Sequence, residues 1–311
     1  MLAQLSDGDR TRRERLEKLR FWRRACAEGS ERVRRYNESA PGTPLIFFHG
    51  DFDMGGTYLT RLASATGYPL VALAPLGLQG DPLQPSIGWM AEQGLAEIRR
   101  VQPSGPYRLG GYCNGALVAY EAAQRLVAAG ETVEVIVLLE PAAFNTRPFF
   151  RGLHRALSLA LSDEARLGRA MIAAWSLARI LRLARIAPVG LAEQAGRQVM
   201  ARLRHRQRGR GPAADNERRI AETAARLKRV YLAASAAYLP PPTAVPLAVL
   251  STERDGSGRR CGLYEGHLWQ AMARDFRFEA LPGHHSTCLS DHLRPLAAKL
   301  SAILGENPAR P

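Results

Sequence analysis

Gly111-Tyr112-Cys113-Asn114-Gly115 places a cysteine where a nucleophile would sit. Tyr107 to Gly110, just before it, reads as a buried strand, and Ala116 to Ala129 (ALVAYEAAQRLVAA), just after it, is strongly helical in propensity, with Gly130 as its stop. Strand, G-x-Cys-x-G and helix together form a nucleophile elbow, a turn so sharp that its central residue is strained and presented outward. Flanking glycines let strand and helix approach without a Cβ clash. A thiolate in that position attacks acyl carbonyls and keeps the acyl group as a thioester. A buried, inert cysteine in an ordinary strand-to-helix turn is the plainer alternative, and the type and order of the flanks weigh against it.

A nucleophile of this kind needs a base, and a carboxylate to orient it. In α/β-hydrolases the chain order is nucleophile, acid, histidine, so the histidine follows the last strand. Here Leu281-Pro282-Gly283-His284-His285 follows FRFEAL. The Gly-x-His turn favours His285 as base, with His284 as the fallback. His154, His205, His267 and His292 fall in expected helices or in the inserted region, where an exposed surface role is expected. Two carboxylates stand at carboxyl ends of strands, where sites of open α/β sheets assemble. Glu140 ends VIVLLE, and Asp255 follows LAVLSTERD in a loop with Arg254, Arg259 and Arg260. A helix cap or a surface ion pair is the plain alternative for either.

The elements that must position these groups alternate. Leu45 to Phe48, Leu70 to Leu73, Val133 to Leu139, Leu247 to Leu250 and Phe276 to Leu281 are short apolar strands of the kind a parallel sheet buries. Helices are expected at Thr57 to Thr66, at Ser86 to Val101 with Ser86 as N-cap, around Gly266 to Met272, and at Asp291 to Leu304. Residues 1–36 read as one or two charged amphipathic helices. From Ala143 to Tyr238 the pattern is helical only (Leu153 to Leu161, Ala165 to Leu183, Leu191 to Leu203, Asp215 to Tyr238), ending at Pro240-Pro241-Pro242. The expected fold class is therefore α/β: an α/β-hydrolase fold, a mostly parallel sheet flanked by helices, with a helical lid insertion. The expected organisation is a charged helical extension over 1–40, a core from 41–142 and 243–311, and a basic helical lid over 143–242, which would exclude water from the site.

Charge is concentrated in that lid. Between Arg151 and Val230 there are 18 Lys and Arg against 6 Asp and Glu, a local excess of 12 out of the whole chain's +14. Its densest part, Arg202 to Arg210 (RLRHRQRGR), has little aromatic interleaving and no recognition motif, which argues against nucleic acid. A solvated helix face and a docking surface for an acidic protein remain. No apolar run is long enough to span a membrane, and the arginine-rich N-terminus is unlike a signal peptide. Cys26, Cys113, Cys261 and Cys288 show neither paired nor metal-ligand spacing. A cytoplasmic location, where a free thiol survives, is the expectation.

Segments 44–145 and 245–300 resemble the thioesterase domains of nonribosomal peptide and polyketide synthases and their stand-alone type II relatives. The resemblance rests on FFHGDFDMGG, on PSIGWMAEQGLAEIRRVQPSGPYRLGGYCNGALVAYEAAQRL, on VIVLLE and on LPGHHSTCL. It implies Cys113 as nucleophile, His285 as base and Glu140 at the strand end where the family usually has aspartate, which favours Glu140 over Asp255. Serine at the elbow is the family's usual residue, so cysteine is a second departure. The oxyanion hole would use the Asn114 amide and, by alignment of the turn after Phe48, the Asp51 amide, with Gly50 and Phe52 a residue away. His49 would brace that turn. The implied activity is transfer of an acyl or aminoacyl group from a phosphopantetheinyl carrier protein onto Cys113. Release to water, or capture by an amine, hydroxyl or second thiol, would follow. Phosphopantetheine belongs to the substrate, and neither a bound cofactor nor a metal is called for. The basic lid suits an acidic acyl or peptidyl carrier protein. A hydrolase of free esters or amides, and a non-catalytic carrier-binding protein, are the other two readings.

Overall fold

A computed structural model describes residues 32–50, 52, 56–78, 82–186, 212–252, 265–285 and 287–305. Its centre is a seven-stranded sheet in the order β1-β3-β2-β4-β5-β6-β7. The strands are β1 (Val33–Tyr36), β2 (Leu45–Gly50), β3 (Leu70–Leu73), β4 (Tyr107–Cys113), β5 (Val133–Leu139), β6 (Leu247–Ser251) and β7 (Phe276–Ala280). From β3 to β7 every neighbouring pair is parallel. The near-continuous apolar runs follow from this: a parallel strand covered on both faces has no side free for polar residues. On β2, Leu45 and Phe47 enter one core while Ile46 and Phe48 enter the other. The helices α1 (Tyr58–Thr66) and α7 (Leu293–Gly305) cover the first face; α2 (Ile87–Val101) and α3 (Asn114–Ala128) cover the second.

Local signals behave as their chemistry requires. Ser86 Oγ accepts the Trp89 amide at the start of α2, and Gly130 ends the region after α3 at φ 81°. Three expectations are corrected. Val33–Tyr36, expected as helix, is an edge strand antiparallel to β3, pairing Val33 with Leu73 and Tyr36 with Leu70. The open side of β3 supplies a ladder that outweighs local helical preference. Gly266–Met272 is a 3₁₀ turn rather than an α-helix. His154, expected at the surface, is buried, with Nε2 on the Ala237 carbonyl.

Between β5 and β6 run α4 (Pro148–Ala160), α5 (Glu164–Ile186) and α6 (Pro212–Ala237). Their own small core is Phe150, Leu167, Met171, Ala236 and Ala237. Gly168 permits the close crossing of α5 and α6, since a Cβ there would come within 2.3 Å of the Ala233 carbonyl oxygen. The insertion is stitched at its base. Asn145 Nδ2 donates to the Ala236 and Tyr238 carbonyls at 2.8 and 2.6 Å, and Arg151 donates to Pro240 O at 3.0 Å. Higher up, Tyr231 packs edge-on against Phe52, 5.1 Å between centroids, and its hydroxyl accepts the Leu76 amide. The expected helices within 1–31 and at Leu191 to Leu203, and the Arg202 to Arg210 cluster, lie outside the described residues. Among the described residues no helix is long and apolar enough to cross a membrane.

Candidate active site

The turn from β4 into α3 carries Cys113 at φ 54°, ψ −116°, a strained conformation for a residue with a side chain. Its neighbours explain the glycines. A Cβ on Gly111 would lie 2.4 Å from Gly115 O, and one on Gly115 would lie 2.2 Å from Phe48 O. Backbone meets backbone there, so only glycine fits. Asn114 begins α3, with its amide at the unpaired end of the helix. Its side-chain Nδ2 donates to Gly50 O at 3.1 Å, tying the elbow to the end of β2.

Glu140 follows β5 directly and is fully buried, also at positive φ, 49°. Its amide extends the ladder to Leu250 O at 2.9 Å. A buried carboxylate must have its oxygens met. Here Oε1 accepts the Thr252 amide and Oε2 lies 2.9 Å from His285 Nδ1. His285 stands in the loop after β7, beyond Gly283 at φ 82°, and also hydrogen-bonds the Cys113 side chain. With Nδ1 on the carboxylate, Nε2 is left for the sulfur. Burial alone would lower the His285 pKa, but the charges and hydrogen bonds of Cys113 and Glu140 outweigh it and push it up to about 10. Both partners thus favour the protonated ring over the neutral one.

The structure therefore brings Cys113, His285 and Glu140 into one chain of contacts. The His284 main-chain amide donates to Thr287 Oγ1 at 2.9 Å, and it is the ring of His285 that meets Glu140. Asp255 and Asp51 lie outside the described residues. His49 is buried at the end of β2 and packs edge-on to Tyr58; burial, and next to it the charge of Arg34, lowers its pKa to about 3. Burial thus favours its neutral form. Two participants were missed by sequence reasoning: the Thr252 amide, a main-chain donor with no residue-type signal, and Tyr112, whose hydroxyl donates to the His285 carbonyl at 2.7 Å. Tyr112 is one of the two variable residues of the G-x-Cys-x-G motif, so its type alone carried no message.

A parallel sheet with a strained residue on the sharp β4–α3 turn, and a histidine–carboxylate pair at neighbouring strand ends, defines an α/β-hydrolase fold. Within that class the chain belongs to the thioesterase domain family, which matches residues 43–304. It is 34% identical over 140 residues to indigoidine synthase of Streptomyces lavendulae, covering 42% of this chain and 11% of that protein. It is 57% identical over 53 residues to the non-reducing polyketide synthase ustP of Ustilaginoidea virens, covering 17% and 2% respectively. The chain thus spans about a tenth or less of these curated relatives. Among solved structures, the NocB thioesterase domain in covalent complex with a fluorophosphonate nocardicin G analogue is similar with TM-score 0.59 and 22% identity, over 88% of this chain and 99% of that one. YbtT, a type II thioesterase of the yersiniabactin pathway, gives 0.56 and 16%, over 90% and 100%. At these identities the likeness is one of fold.

Proposed function

We propose that this thioesterase-family chain takes an acyl or aminoacyl group from the phosphopantetheine thioester of a carrier protein onto Cys113, in nonribosomal peptide or polyketide biosynthesis. The observation that carries the reading is His285, held by Glu140 at 2.9 Å through Nδ1 and hydrogen-bonded to Cys113 on its other side. In the first half-reaction the Cys113 sulfur, its proton held on His285 Nε2, attacks the thioester carbonyl. Negative charge gathers on the carbonyl oxygen, where the Asn114 amide stabilises it together with a second amide from the loop after β2, for which Asp51 is the sequence-based choice. Collapse breaks the carbon–sulfur bond to pantetheine, and the leaving thiolate takes the proton from Nε2. Glu140 keeps the imidazole in the right orientation and stabilises its positive charge throughout.

The product of that step is still a thioester, now on the enzyme. Water, with His285 as base, would give the free acid. An amine, hydroxyl or second carrier thiol would give transfer or ring closure. The relatives named as synthases support a carrier-bound donor, and the lid's positive charge suits an acidic carrier. Intact-mass measurement after incubation with acyl-pantetheine thioesters and loaded carriers tests the proposal, with Cys113→Ala alongside. An adduct dependent on Cys113 is expected. Equal adduct or turnover in Cys113→Ala would refute the cysteine as acyl acceptor.

A further inference from the structure

Glu140 alone does not fix the base. The hydrogen bonds to Glu140 and Cys113 hold the two ring nitrogens, but they leave the tilt of the ring and the place of its main chain to other contacts. Tyr112 removes that freedom. Its ring lies against the His285 imidazole with centroids 5.1 Å apart and planes 21° from parallel. Its hydroxyl donates to the main-chain carbonyl of His285 at 2.7 Å, across 173 positions of chain. Cys288 Sγ donates to the same carbonyl at 3.2 Å. The loop has a local turn of its own, with the Cys288 amide on His284 O at 3.0 Å, and the Tyr112 hydroxyl is the bond that ties the His285 main chain to β4.

Tyr112 is itself held. It is 2% exposed, and Tyr58 of α1 packs edge-on to it at 5.6 Å. Tyr58 meets His49, the penultimate residue of β2, at 6.4 Å. Four rings, His49, Tyr58, Tyr112 and His285, therefore run in an unbroken line from the end of β2 to the base. Because Tyr112 is bonded directly to Cys113, nucleophile and base share one anchor.

We infer that Tyr112 is a positioning residue, setting the plane and height of the His285 imidazole relative to the Cys113 sulfur. The inference rests on the reading of His285 as base. Tyr112→Phe keeps the stack and removes the hydroxyl bond; Tyr112→Leu removes both. The test, on the full chain, is the rate at which iodoacetamide alkylates Cys113, followed by peptide-resolved mass spectrometry, together with kcat and KM for an acyl-pantetheine thioester. His285→Ala and thermal midpoints are measured in parallel. Alkylation and kcat should fall about fivefold in Tyr112→Phe and about thirtyfold in Tyr112→Leu, with KM nearly unchanged. If Tyr112→Leu fails to fold, Tyr112→Phe carries the test. Wild-type alkylation and kcat in folded Tyr112 variants, while His285→Ala is impaired, would overturn the inference and leave Tyr112 as core packing. An unimpaired His285→Ala would instead overturn the base assignment beneath it.

Discussion

Glu140→Gln changes one atom and almost no shape, so its effect isolates what the carboxylate does. The carboxylate has two oxygens and meets two donors: the Thr252 amide on Oε1 and His285 Nδ1–H on Oε2. An amide has only one oxygen. If it stays on Thr252, the NH2 faces His285, Nδ1 must become an acceptor, and the imidazole proton moves to Nε2. That nitrogen then points an N–H at Cys113 and cannot take the thiol proton. If the amide turns over, the NH2 is driven against the Thr252 N–H in a fully buried place. Either way one charge-assisted hydrogen bond is lost, about 1.5–3 kcal/mol, and a buried polar group is left badly met, about 1 kcal/mol or more. About 3–4 kcal/mol of lost transition-state stabilisation corresponds to a fall of about 10²–10³-fold in acylation rate. Single-turnover transfer from an acyl-pantetheine thioester measures it, with circular dichroism and the thermal midpoint to show that the fold persists. Acylation within tenfold of wild type would refute the reasoning, because the contact with His285 would then be structural only.

Replacing Cys113 by Ser should keep acylation but yield an oxoester, so the ratio of free acid to amine-captured product should rise; product ratios by mass spectrometry at fixed amine concentration check this. Arg218→Glu, Lys228→Glu and Arg229→Glu together reverse three exposed charges on α6. KM for a loaded acidic carrier should rise about tenfold at low salt while a small pantetheine thioester is unaffected; equal effects on both would favour the free-ester reading. Since the folded pKa of His285 is raised from 6.5 to about 10, its share of stability is complete below 6.5 and is lost as pH rises towards 10. Urea unfolding across that window should show a steeper loss in wild type than in Cys113→Ala, which lacks the stabilising sulfur. Gly115→Ala should cost about 3 kcal/mol in the same assay, with a Cβ 2.2 Å from Phe48 O. Gly152→Ala, on the open face of α4, should instead stabilise by up to about 1 kcal/mol.

What could be read in the chain was whatever depends on near neighbours. The elbow is local: glycines two residues either side of Cys113, a strand before and a helix after, and backbone sterics that admit little else. The apolar strands and the Ser86 cap are local in the same sense. That a histidine of the Gly-x-His turn after the last strand would stand near the elbow was legible too, and His285 is the one whose ring meets Glu140. Choosing Glu140 was not a local matter, since 145 positions separate it from His285. Only the pairing of β5 with β6, and of β6 with β7, sets its carboxylate between the Thr252 amide and the imidazole. The same holds for Val33–Tyr36, where a charged segment with helical looks became a strand because β3 had an open edge. It holds for His154, buried because the end of α6 returns over α4. It holds above all for Tyr112, an arbitrary letter inside a motif until folding lays it against the His285 ring. Patterns of period and sterics are written residue by residue; which ring or carboxylate meets which partner is decided by long-range strand pairing, and only the tertiary structure contains that.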